Sequence, residues 1–265
     1  MKKIFKSALA VALLSVSVLS SQVFAADSLN TEKDNGAEII YSANEITDVD
    51  ILYDKAVQEE KNQSIKKTGG IKGVLKDEKG NQTDTKTYHT TQKLKEKKYK
   101  DGRVEGEYAV TTFADVTNQD LDRASILASD GSIGKDGKDD TLGFKAYSTF
   151  YYSYTTSGGS EFRKITRVTG GWTRLDGTYT FGKRTINYGS SGIPQGGGLA
   201  ISQAEYNTID LPDISLTFDY TAPTSWKYIS RSTTDSSWYT VGVNQSIVLK
   251  RSSSTWTFSF ANNDV

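Results

Sequence analysis

The stretch whose reading decides the fold is Thr141–Gly192, TLGFKAYSTFYYSYTTSGGSEFRKITRVTGGWTRLDGTYTFGKRTINYGSSG. Two breaks divide it. Ser157-Gly158-Gly159-Ser160 and Asp176-Gly177 carry the small residues, tolerant of positive φ, that hairpin turns require. The runs between them are rich in Tyr, Phe, Thr, Val and Ile, which suit a pleated, half-buried surface. Three consecutive antiparallel strands are therefore predicted, and they seed an all-β fold.

Towards the carboxyl end, Ile193-Pro194-Gln195-Gly196-Gly197-Gly198 predicts a flexible crossing between sheets, with Ile201–Tyr206 beside it. In Ile214–Tyr220 and Trp256–Phe260 every second residue is large and apolar, and the residues between are Ser, Thr or Asp. That period is a strand with one buried face. Trp226–Ile229, Trp238–Val243 and Ile247–Lys250 add shorter runs separated by polar turns. Such spacing leaves no room for crossover helices, so residues 141–265 are expected to form an antiparallel β-sandwich of short strands.

Towards the amino end, residues 67–140 predict a hairpin region followed by an acidic, glycine-rich loop. Ile71–Lys76, Thr85–Lys95 and Arg103–Asp115 are the strands, with turns at Asp77–Asn81 and Lys100-Asp101-Gly102. Lys93, Lys95, Lys97, Lys98 and Lys100 alternate with Glu96, Asp101, Glu105 and Glu107, which predicts a solvated sheet edge guarded against edge-to-edge pairing. In the loop, Asp130, Asp136, Asp139 and Asp140 alternate with glycines. An oxygen-rich loop of this kind suits Ca²⁺, although the spacing departs from the EF-hand pattern.

Residues 26–66 form a polar, acidic amino-terminal segment. Ile46, Val49, Tyr53, Ala56 and Val57 recur at three- and four-residue steps, which predicts one amphipathic helix capped by Thr47 or Asn44. The segment is either an arm of the fold or a propeptide. Residues 1–25 have the form of a signal peptide: Lys2, Lys3 and Lys6 precede an apolar Ala8–Leu19, and Val23-Phe24-Ala25 offers a cleavage site before Ala26. The apolar run falls short of the about 20 residues that span a bilayer. The expected product is secreted and extracellular.

The full chain carries 32 basic and 32 acidic residues, and the leader removes three lysines and no acids. The slightly acidic remainder argues against nucleic acid as a partner, since phosphate binding needs a basic surplus. The chain has no Cys, which rules out disulfides and thiolate metal sites. His89 is its single histidine, and neither a G-x-S-x-G elbow nor a phosphate-binding loop accompanies it. Paired carboxylates are the remaining catalytic option, with Glu161 and Glu205 the glutamates of the β-rich part.

The aromatic residues offer more. Tyr147, Phe150, Tyr151, Tyr152 and Tyr154 place rings on both faces of one strand. If Phe150, Tyr152 and Tyr154 face inward, Tyr147 and Tyr151 form an outer pair, and Trp172, Trp226 and Trp238 are further candidates for stacking on a ligand. The leading expectation is a secreted, non-enzymatic protein that binds a cell-surface, cell-wall or extracellular-matrix component, without cofactor unless the loop takes Ca²⁺. The alternative is an antibacterial protein (a large bacteriocin) or pore-forming toxin acting on the membrane of neighbouring cells, because alternation of this kind also suits barrel strands. A glycan hydrolase stands third.

Overall fold

A computed structural model describes residues 36–62, 73–118, 120–121, 142–210, 216–231 and 239–264. Residues 1–25, read above as a signal peptide, Asp130, Asp136, Asp139 and Asp140, read above as suited to Ca²⁺, and Trp238 lie outside the described residues.

Among the described residues the chain is mostly antiparallel β, arranged as a curled sheet with a helix at Val49–Asn62. Its elements are β1 (Ala37–Ser42), α1 (Val49–Asn62), β2 (Gly73–Asp77), β3 (Gln82–Tyr99), β4 (Val104–Thr117), β5 (Leu142–Ser157), β6 (Ser160–Arg174), β7 (Thr180–Gly192), β8 (Ile201–Ile209), β9 (Thr217–Thr221), β10 (Ile229–Ser230), β11 (Thr240–Arg251) and β12 (Ser254–Asp264). The strands run β10-β6-β5-β4-β3-β2-β12-β11-β7-β8, with β1 on β3 and β9 on β6. β3 is the hinge: residues 82–85 pair with β2, and 86–98 pair with β4. We call β1, β3–β6, β9 and β10 half-sheet A, and β2, β12, β11, β7 and β8 half-sheet B.

The three predicted strands are β5, β6 and β7, but only β5 and β6 form a hairpin. After Asp176-Gly177 the chain crosses to half-sheet B, where β7 lies between β11 and β8. Gly158 and Gly159 join β5 to β6 with φ of 58° and 81° between the paired Ser157 and Ser160. Positive φ at both central residues is the hairpin turn whose twist matches its strands. Several strands are longer than expected, β3 reaching 18 residues and β5 16.

The curl closes over an aromatic interior. Phe144, Phe150, Trp172, Phe181, Val243, Ile247, Trp256 and Phe258 are buried in one cluster, and each large ring taken from water contributes about 1.5–3 kcal/mol. Polar side chains tie the halves together inside it. Asn262 of β12 donates to Val110 O and Ser148 O of half-sheet A, both at 2.9 Å, and accepts from Thr112 Oγ1 at 2.7 Å. Gln245 of β11 donates to Tyr147 O at 3.2 Å. The far ends of the strand order also meet, since Gln195 N donates to Tyr228 O and Ser230 N to Ile193 O, both at 2.8 Å.

Other local readings change. The polar segment before α1 contains β1, which pairs with residues 95–99 of β3. The lysine run is therefore on a covered strand, and β1 is the edge. Acids on both neighbours make this tolerable: Lys97 lies opposite Glu105, Lys95 opposite Glu107, and Lys98 opposite Glu38. The cap of α1 is Asp48, whose carboxylate accepts from Asp50 N at 2.9 Å and Ile51 N at 3.1 Å. The runs containing Val243 and Ile247 belong to one strand, β11. Ile201–Tyr206 is part of β8.

Candidate functional site

Two outer surfaces present themselves, one on each half-sheet. On half-sheet A the segment Ala43–Asp48 is strapped across the outer face. Gln92 of β3 clasps Ile46 twice, its Oε1 accepting from Ile46 N at 2.9 Å and its Nε2 donating to Ile46 O at 3.1 Å. The strap leads into α1, whose Leu52 and Ala56 pack on Tyr88 and Phe113. Tyr53 reaches under the helix and donates to Asp115 Oδ2 at 2.6 Å, with Lys145 Nζ 3.6 Å from the centre of its ring. Burial pushes the Asp115 carboxyl up from its ordinary pKa, against the pull of Tyr53 and Lys145.

Tyr147 and Tyr151 line a cleft of about 170 Å³ between this strap and the sheet, with Glu45, Thr149 and Arg167. The Tyr151 hydroxyl donates to Glu45 Oε1 at 2.6 Å. Burial, with that hydrogen bond, pushes its pKa up to about 12. Arg167 lies over the Tyr151 ring and grips Asp219 through two bonds of 2.8 and 2.5 Å. That grip holds the Asp219 carboxyl below its ordinary range. The cleft is thus bounded by groups already engaged with one another.

The outer face of half-sheet B is different. Strand register there places Thr208 opposite Thr185, Thr185 opposite Ser246, and Ser246 opposite Ser259. Four hydroxyl side chains therefore cross four adjacent strands in one row. A second row runs beside it, with Tyr206 opposite Asn187 and Asn187 opposite Asn244. Both rows lie in a groove of about 560 Å³ whose lining contains no Asp, Glu, Lys or Arg. Tyr206 is 75 % exposed at its end. Thr185 and Ser246 are hydrogen bonded at 2.6 Å, and Asn263 Nδ2 donates to Asn244 Oδ1 at 3.4 Å. The rows are built by alternation: Ile186, Gln245, Ile247 and Phe260 go inward, so their neighbours must face out.

The structure disperses the aromatic candidates. Phe150, Tyr152 and Tyr154 face inward, and Tyr147 and Tyr151 share the cleft on half-sheet A. Trp172 is 2 % exposed and packs on Phe218 at 5.5 Å in the interior. Trp226 lies against Tyr188 at 5.8 Å. Glu161 is paired with Arg163 at 2.5 Å on β6, while Glu205 sits on β8 opposite Tyr188. His89 stands on β3 opposite Thr112. Among the described residues, no three His, Asp or Glu side chains gather as metal ligands would.

Tyr206 and the hydroxyl row escaped the sequence reading. The residues of the row are ordinary outer-face Ser and Thr, Tyr206 is a lone ring on an edge strand, and only strand pairing aligns them. The one available signal was Ile201–Ile209 itself, where Ile201, Gln203, Asn207 and Ile209 alternate with more exposed residues. Comparison with protein-family models, with curated proteins and with solved structures finds no match for this chain.

Proposed function

We propose that the protein is exported, folds as a β-sandwich with the two half-sheets as its layers, and works without enzymatic chemistry by binding a component of a cell surface or of the extracellular matrix. The groove on half-sheet B carries this reading. It is a concave, uncharged surface, rich in side chains that both donate and accept hydrogen bonds, with an exposed aromatic ring at one end. The buried bonds from Asn262 and Gln245 support the layered description.

The test applies purified protein beginning at Ala26 to isolated bacterial cell walls and, in parallel, to living indicator bacteria. The expected result is co-sedimentation with walls and unchanged viability. Killing, or dye release from liposomes, without wall retention establishes the antibacterial reading instead. Release of reducing ends that stops in Glu161→Gln or Glu205→Gln establishes the hydrolase.

A further inference from the structure

We infer that the groove across β8, β7, β11 and β12 is a binding site for a neutral oligosaccharide chain, laid across the strands with one sugar ring against Tyr206. This deepens the binding role proposed above and rests on it.

The geometry sets the shape of the ligand. Neighbouring strands lie roughly 4.8 Å apart, so the row Thr208, Thr185, Ser246, Ser259 extends about 14 Å across the sheet. The row of Tyr206, Asn187 and Asn244 runs parallel to it, about 7 Å along the strands. A ligand touching both rows is long and narrow, with polar edges that meet the rows and apolar faces that meet the carbon surface around Val74 and Ala261. An apolar lipid chain would take water from the hydroxyl and amide groups and offer no hydrogen bond in return, which costs about 1–3 kcal/mol for each group left unpaired.

The chemistry sets its charge. The lining holds no ionised side chain, although acidic and basic residues make up 24% of the full chain. A phosphate, sulfate or carboxylate entering the groove would give up hydration with no cation to replace it. A hydroxyl-rich neutral chain meets no such penalty. Each Ser or Thr offers one donor and two acceptor positions, and each Asn amide offers two donors and an acceptor. That mixture matches a row of sugar hydroxyls, which also donate and accept.

Preorganisation completes the case. The 2.6 Å bond between Thr185 and Ser246 fixes the middle of the hydroxyl row. The contact from Asn263 steadies Asn244. Both act before a ligand arrives, so less side-chain freedom is lost on binding. Tyr206 is exposed at the groove's end, where its apolar ring face is free to cover the face of a sugar and its hydroxyl stays in water.

The experiment is native affinity electrophoresis of the protein beginning at Ala26. The gels contain hydroxyethyl cellulose, galactomannan, dextran or glycol chitin as neutral probes, and carboxymethyl cellulose as a charged version of the first backbone. At least one neutral polymer should retard the wild type. Tyr206→Ala should weaken that association about tenfold, and the double variant Asn187→Ala/Asn244→Ala should abolish it. Carboxymethyl cellulose should retard less than hydroxyethyl cellulose. Thermal melts of both variants should match the wild type, since the side chains are at the surface. Retardation by no neutral probe overturns the inference, as does retardation that survives both variants. If wall co-sedimentation persists equally in Tyr206→Ala, the binding role stands and the groove is not its site. If walls do not retain the wild type, the binding role itself fails.

Discussion

Asn262 stands where the alternation Trp256, Phe258, Phe260 calls for another apolar side chain, and it is fully buried. Its amide satisfies two carbonyls and one hydroxyl of the opposing half-sheet. Asn262→Ala leaves those groups without their partner, and a loss of about 3 kcal/mol is expected in urea unfolding. The sequence shows the parity of this position but not its role, because the residues it bonds are more than 100 positions away. Asp115 is a second residue hidden in a strand pattern. It is 6 % exposed, and its Oδ1 is buried without a hydrogen-bond partner. Because burial raises its folded pKa, the stability it permits is full below its unfolded value of about 3.9 and is lost as pH rises through the folded value. Asp115→Asn is therefore expected to raise the urea midpoint at neutral pH, and the advantage over wild type should shrink on acidification. A variant less stable than wild type at neutral pH would contradict this assignment.

At the scale of elements, α1 is the part whose periodicity and docking agree most simply. The three- and four-residue steps put Leu52, Ala56 and the flanking Val49 and Tyr53 on one face, and that face meets Tyr88 and Phe113. Ala56→Arg places a long cation at a position with no exposure. It should undock the helix while the interior of the sheet persists. Hydrogen exchange should then speed up in residues 49–62 and remain slow in β11 and β12. Equal loss of protection throughout would mean that helix and sheet fold as one unit. The β5–β6 hairpin was legible for a local reason, since its turn carries its own chemistry in Gly158 and Gly159. Asp176-Gly177, by contrast, reads as a second hairpin turn although β7 pairs with β8 and β11, which follow it in the chain. β1 and β8 were not, because polar edge strands resemble loops until a partner is known. The lysine run was misplaced for the same reason: its alternating charge is read correctly as solvated, but β1 covers the strand.

At the scale of the whole molecule, the arrangement depends on distant pairings. β2 meets β12, so residues near 75 lie beside residues near 258. This one contact makes β2–β4 and the carboxyl-terminal strands a single curled sheet, and it brings two outer faces into being. One is covered by the strap and α1, and its tyrosines are engaged by Glu45 and Arg167. The other is open and holds a groove, lined without charged side chains, whose rows of hydroxyl and amide groups no local pattern announces. The aromatic pair Tyr147 and Tyr151 was the natural choice from the sequence, because rings are visible there and cross-strand rows are not.

The most direct test of the account compares retention on isolated cell walls for wild type, Tyr206→Ala and Tyr151→Ala under one set of conditions. We predict that Tyr151→Ala is retained as well as wild type and that Tyr206→Ala is washed off. Loss of retention in Tyr151→Ala, with Tyr206→Ala unaffected, would move the working surface to the strapped cleft and contradict the account.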